Sequence, residues 1–260
     1  MSLASFRIHR ELENFIARER RGLAFDYTCA RAATLKQAIE SLGVPHTEIG
    51  RVLVNSEAAT LSRIVRDGDA VEVFPHERGA APFEAPLAFI ADAHLGGLAR
   101  MLRMLGFDTI YDNALHDPHI VAQAAADKRV VLTRDRELLK CRDVLRGCYV
   151  QALKPEAQLR EVGQRYGLVA HMQPFTLCLH CNLPLADADD EAVRAQVPGR
   201  IQAQYRDFMQ CRGCGRVYWE GSHWDRMRSV LAQTLEIPVD TIKQGTGTAK
   251  TPRRQEKRNE

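Results

Sequence analysis

The chain has 260 residues, 45% of them hydrophobic and 27% charged, with a formal charge of +3. That is enough apolar material for more than one globular core and too little net charge to identify a partner. No run approaches the roughly 18 apolar residues of a membrane span, and the first residues lack a basic start followed by an apolar core, so membrane and exported classes are set aside and a cytoplasmic protein is expected.

Candidate strands at Ser5 to His9, Leu23 to Thr28, Arg51 to Val54 and Ala70 to Phe74 enclose one helix, Thr34 to Leu42. Leu35, Ala38, Ile39 and Leu42 share a face of that helix, Thr34 and Gln37 form a capping box, and Gly43 stops it. Two strands, a helix and more strands is a β-grasp order. The run LKQAIESLGVPHTEIG at 35–50, with Val54-Asn55 and Asp67-Gly68-Asp69, resembles the ubiquitin-like domain that precedes Mut7-C ribonuclease domains. Small sulfur carriers of that fold end in an exposed Gly-Gly, whereas this segment ends in Phe74-Pro75-His76 and continues. It is therefore read as a packing or docking domain over residues 1–77, with a surface for a protein partner. The punctuated stretch HERGAAPFEAP predicts a linker, set at 78–86.

From Leu87 an apolar run without polar alternation predicts a strand buried on both faces, as in a parallel sheet, with Asp92 at its carboxyl end. Leu98, Met101, Leu102 and Leu105 then mark one face of a helix ended by Gly106. Strands at Asp108 to Tyr111 and Arg129 to Thr133, with a helical stretch near Ile120 to Ala126 between them, repeat that grammar. A short strand at Tyr149-Val150 and a helix from Glu156 to Tyr166 complete a central α/β domain, 87–170. Open α/β sheets carry their sites outside the carboxyl ends of the strands, which is where Asp92 and Asp135 fall. Carboxylates brought together there must share protons or be neutralised by a cation, and Mg²⁺ favours such oxygen ligands.

Each candidate has a structural reading as well. Asp92 suits the start of the following helix, Asp135 the N-cap of a helix from Arg136 to Lys140, and Asp117, before Pro118, an N-cap with proline in the first turn. Arg100 and Arg103 lie opposite the apolar stripe, on a face expected to be exposed. Arg134 and Arg136 flank Asp135, and guanidinium groups match phosphate geometry. Asp112 and Asp143 read as turn or helix residues, and His94 as a helix-entry residue.

Phe89-Ile90-Ala91-Asp92, Leu95-Gly96, Leu98-Ala99-Arg100, Leu102-Arg103, Leu105-Gly106-Phe107-Asp108-Thr109 and Leu132-Thr133-Arg134-Asp135-Arg136 resemble Mut7-C ribonuclease domains, a PIN-like nuclease group. The resemblance implies a metal-dependent ribonuclease in which Asp92, Asp117 and Asp135 hold Mg²⁺ or Mn²⁺. It also implies that Thr133, Arg134, Arg100, Arg103 and Arg136 contact RNA, single-stranded or structured. Asp117 enters on the family's acid at the start of its helix. The family often has lysine where this chain has Gly97, which removes a cation from the implied site.

Seven cysteines include two Cys-x-x-Cys hooks, Cys178 with Cys181 and Cys211 with Cys214. Four thiolates in a reducing compartment predict a closed, structural Zn²⁺ site in a zinc ribbon, 171–228. Cys29, Cys141 and Cys148 read as small buried residues. The 29 residues between the hooks exceed the usual spacing, and Asp187 to Gln196 predicts an extra helix there. Tyr218, Trp219 and Trp224 follow the second hook in a run similar to the one that closes the family's ribbon; they are read as cover for its core, with base stacking as the other reading. Residues 229–260 are read as a helix end and a basic tail; after Ile242, Lys243, Lys250, Arg253, Arg254, Lys257 and Arg258 face only Glu256 and Glu260, and disorder is expected there. The combined expectation is a three-part α/β protein acting as a metal-dependent ribonuclease; the alternative is a non-catalytic RNA-binding adaptor with a vestigial acidic pocket.

Overall fold

The computed structural model describes residues 1–79 and 87–245, so most of the expected linker and the tail from residue 246 lie outside the described residues. The chain divides into two compact units, Met1–Ala99 with Thr109–Ala170, and Arg100–Asp108 with His171–Glu260.

The first unit begins with a β-grasp. Strands β1 (Ser2–Ile8) and β2 (Ala24–Cys29) form a hairpin, and helix α1 (Leu35–Ser41) follows. Strands β3 (Ile49–Val54), β4 (Glu57–Ala59) and β5 (Ala70–Pro75) complete a sheet of order β2-β1-β5-β3-β4, with β1 and β5 parallel. The helix starts where its sequence says it should: Gln37 N–H donates to Thr34 Oγ1 at 3.3 Å and Thr34 N–H to Gln37 Oε1 at 3.0 Å, a reciprocal capping box. Leu35, Ala38 and Ile39 are buried against the sheet's inner side chains, among them Phe6, Ile8 and Val73. Strand β4 lies outside the four candidate strands. It returns through Asn55 and Ser56, both at positive φ, the geometry of a two-residue hairpin turn that usually advertises itself with glycine.

The same unit holds β6 (Phe89–Ala91), the first turn of α2 (Gly96–Met104), β7 (Thr109–Tyr111), α3 (Asp117–Asp127), β8 (Val130–Thr133), α4 (Arg136–Lys140), β9 (Gly147–Tyr149) and α5 (Pro155–Tyr166). The four strands are all parallel in the order β7-β6-β8-β9. Every residue of β6 and β8 is buried, the pattern of strands covered on both faces. The chain moves one way from β6 to β7, then returns to place β8 on the other side of β6. That reversal makes the crevice beyond the ends of β6 and β8 the topological switch point, where open α/β sheets bind ligands.

The β-grasp and this sheet are joined by a buried ion pair. Arg165 on α5 bonds Glu48 and also donates to the carbonyls of Thr47 at 3.0 Å and Gly147 at 3.1 Å, while Tyr149 N–H donates to the other Glu48 oxygen at 2.8 Å. A buried pair of this kind is tolerable because each charge is hydrogen-bonded on several sides.

The second unit carries an antiparallel sheet of β10 (Leu185–Asp187), β11 (Phe208–Cys211) and β12 (Val217–Trp219). Helix α6 (Asp190–Gln196), capped by Asp189, falls in the predicted insertion, which also holds an unpredicted α7 (Gly199–Gln204). Helix α8 (Ser222–Leu235) follows β12. Gly106, at φ +84°, lets the chain after α2 lie against the segment before the first hook, since a Cβ there would strike the Gln173 carbonyl. Among the described residues no helix is long and apolar enough to cross a membrane.

Candidate functional site

Asp92 follows β6 directly, and its N–H extends the ladder to the Leu132 carbonyl at 2.9 Å. Its Oδ1 accepts from the Ala93 N–H, which caps the turn leading into α2. Its Oδ2 accepts from the Thr133 hydroxyl at 2.8 Å, and the same hydroxyl accepts from the Asp135 N–H at 2.9 Å. One buried side chain at the end of β8 therefore ties the two acids of the switch point together. Asp135 Oδ1 accepts from the Glu137 N–H at 2.8 Å, so Asp135 is the N-cap of α4. Asp92 is half-buried and Asp135 exposed.

Asp117 is not the N-cap that its place before Pro118 predicts. The cap of α3 is His116, whose carbonyl accepts from His119 and Ile120, and Asp117 is the first helical residue with its carboxylate exposed. Asp117 and Asp135 nevertheless act on a common neighbour: burial, then the charges of Asp117, Asp135 and Asp143, push the Cys141 thiol upward. Cys141 is exposed, whereas Cys29 and Cys148 are buried as expected.

Among the described residues, the one group of three or more acids, histidines or cysteines with ligand atoms within 4.8 Å of one another is the four-cysteine set. The three carboxylates thus do not close a shell by themselves. Mg²⁺ commonly takes one or two carboxylates and keeps several waters, a donor set that Asp92 and Asp135 at the switch point can supply.

The predicted RNA contacts separate. Thr133 has no exposed surface, and its hydroxyl is taken up by Asp92 and the Asp135 N–H. Arg103 is buried, 6% exposed, because the chain after α2 folds onto the first hook. Its guanidinium donates to the carbonyls of Leu179 at 3.2 Å and His180 at 2.9 Å, which clamps the backbone between Cys178 and Cys181. Nothing within α2 signals this role, which depends on where residues 179 and 180 arrive. Arg136 lies over the rings of Phe15 and Tyr149 and donates to the Asn14 and Phe15 carbonyls. Arg134 donates to the carbonyls of Gln151 at 3.0 Å and Ala152 at 2.6 Å. The two arginines flanking Asp135 therefore hold its loop on both sides. Arg100 is exposed. Gly97 packs against α5, since a Cβ would meet the Pro155 ring at 2.5 Å.

The cysteine site is compact. Cys178 and Cys214 Sγ stand 3.7 Å apart, close to the edge of about 3.8 Å that a tetrahedron of Zn–S bonds of about 2.3 Å requires. The Cys181 N–H points to Cys178 Sγ at 3.3 Å, and the Tyr218 hydroxyl lies 3.1 Å from the same sulfur. Burial raises the Cys214 thiol, but the Arg216 N–H and hydrogen bonds from Cys181 and the Arg216 side chain outweigh it and bring the value to about 6. The hydrogen bond with Cys214, with burial, pushes Cys181 up to about 12. Negative charge on sulfurs this close is mutually repulsive, a cation would relieve it, and a closed set of four thiolates could bind Zn²⁺.

A parallel α/β sheet with acids at its switch point, joined to a β-grasp and followed by a four-cysteine cluster, makes this a mixed α/β protein with a candidate metal-binding ribbon. The chain belongs to the Mut7-C RNAse domain family, whose model matches residues 87–231, and the model of the Mut7-C ubiquitin domain matches residues 1–80. No curated protein matches the chain. A solved structure, SAMP1 from Haloferax volcanii, is 20% identical over 33% of this chain and 100% of its own, with a TM-score of 0.23, too low to bear on the fold.

Proposed function

We propose that the chain is a metal-dependent ribonuclease whose site is the switch point beyond β6 and β8. The observation that carries this reading is the pair of acids joined through Thr133 within the region matched by the RNAse family model. Asp92 and Asp135 would be the principal residues holding Mg²⁺ or Mn²⁺, and Asp117 would add its charge from the start of α3. A divalent ion bound there lowers the pKa of its water and offsets charge on the scissile phosphate. The chain's own part is positional. The Thr133 hydroxyl holds one Asp92 oxygen, and Arg134 and Arg136 pin the Asp135 loop. Zn²⁺ in the cysteine site is structural, because four thiolates leave no open position for water. The exposed edges of the β-grasp, β2 and β4, are the surfaces for a protein partner.

A second reading, the RNA-binding adaptor, is favoured by one fact: both Asp92 oxygens already accept hydrogen bonds from the protein. A cleavage assay separates the two. Wild-type protein with Mg²⁺ or Mn²⁺ is expected to cut a labelled single-stranded RNA, and Asp92→Asn to lose at least a hundredfold in rate, the scale of losing one group that stabilises developing charge. Equal rates for the two proteins would leave the adaptor.

A further inference from the structure

The unit that carries the four cysteines also holds a cavity of about 590 Å³, and none of the chemistry above uses it. Its size lies within the roughly 300–1,000 Å³ of pockets that take small organic molecules. The walls come from chain segments far apart in sequence, including the residues before the first hook, the end of α7, β12 and the start of α8. Phe175, Tyr205, Tyr218, Trp219 and Trp224 bring five aromatic rings to it, and the last two are the only tryptophans in the chain. Gly221 makes room for one of these rings, since a Cβ there would meet the Trp219 indole nitrogen at 2.7 Å.

Charge around the cavity is sorted. Asp207 and Glu220 line it and are exposed, so an anionic group held inside would be repelled, while a ring bearing amino donors would find acceptors. Arg200, Arg206, Arg226 and Lys243 are exposed, and each is next in the chain to a lining residue. Aromatic walls inside with cations around them are the arrangement by which single strands are held, bases stacked and phosphates outside. The chain's own residues 246–260 are a poor occupant, because they contain no aromatic residue and no valine, leucine, isoleucine or methionine.

We propose that this cavity receives an unpaired base of single-stranded RNA, stacked on Trp219 and its aromatic neighbours, with the flanking phosphates against the exposed arginines. The inference names a substrate subsite for the ribonuclease reading and rests on it. A base with an exocyclic amino group, such as adenine, fits the rim carboxylates better than uracil does.

The test uses the full-length, zinc-loaded Asp92→Asn chain without other divalent ions, so that binding is read apart from cleavage. Because both tryptophans line the cavity, intrinsic fluorescence reports on it directly. A 12-nucleotide oligoadenylate should quench that fluorescence to saturation, whereas an abasic strand of the same length and charge, or the same sequence in a duplex, should not. Trp219→Leu keeps apolar volume and removes the flat ring; it should weaken oligoadenylate binding, read by anisotropy, about tenfold or more. Tyr205→Leu serves as the second variant should Trp219→Leu lower the melting temperature. Quenching by the abasic strand equal to that by oligoadenylate, binding by both variants within twofold of the parent, or no response to any nucleic acid, as a protein-docking cavity would give, overturns the proposal. Base-dependent quenching in a chain whose wild type cuts no RNA would keep this subsite and remove the nuclease reading; cleavage without base-dependent quenching would do the reverse.

Discussion

Thr133 has no exposed surface, and its one hydroxyl donates to Asp92 while accepting from the backbone of Asp135. Replacing it with valine keeps the shape and leaves the Asp135 N–H and an Asp92 carboxylate oxygen without that partner. A hydrogen bond to a charged group contributes about 1.5–3 kcal/mol, so Thr133→Val should lose stability on that scale in denaturant titration. Cleavage should fall with it, because Asp92 is then free to leave the position β6 gives it. Unchanged stability and unchanged cleavage would mean the hydroxyl link is incidental. Residue scale is also where local pattern misled. Arg103 lies off the apolar stripe of α2 and looks exposed, yet it is buried against two carbonyls supplied by a hook more than seventy residues away. Asp117 sits where a cap is expected, but the helix begins one residue earlier and His116 takes that place.

Elements were far more legible than contacts. The unbroken apolar run ending at Asp92, the capping box of Thr34 and Gln37, and the acid after Thr133 each state a local physical requirement, and β6, α1 and the start of α4 form where those requirements fall. Strand β4 and helix α7 were hidden because one turns on Asn55-Ser56 without glycine and the other spans six residues. Asp69 shows a motif residue whose role appears only on folding. It accepts two hydrogen bonds from Arg63, at 2.7 and 3.0 Å, and one from the Arg66 N–H at 2.8 Å, which together hold its carboxyl below the ordinary range although burial opposes them. A carboxyl depressed on folding contributes stability that is present above its unfolded value of about 3.9 and is lost as pH falls through the lower folded value. Unfolding measured between pH 5 and pH 2 should therefore show a shallower acid decline for Asp69→Asn than for wild type. Parallel declines would place Asp69 outside the acid response.

For the whole molecule, the β-grasp is not a loosely tethered appendage. Its Glu48 is buried against Arg165, and Tyr149 packs against both hydrophobic cores of the first unit. Arg136, one residue from Asp135, rests on the β-grasp residue Phe15, so the N-terminal domain helps to hold the loop that delivers an acid. Four sulfurs in the ribbon could hold a soft or borderline ion such as Zn²⁺, whereas the oxygen site proposed at the switch point would take a hard one. The central claim is that the acids of the switch point bind a divalent ion. An anomalous difference map from a crystal soaked in Mn²⁺ tests it most directly. A peak within ligand distance of the Asp92 carboxylate and on the side of Asp135, absent from Asp92→Asn crystals, is the predicted result. Strong metal density at the four cysteines with none at Asp92 would contradict the account.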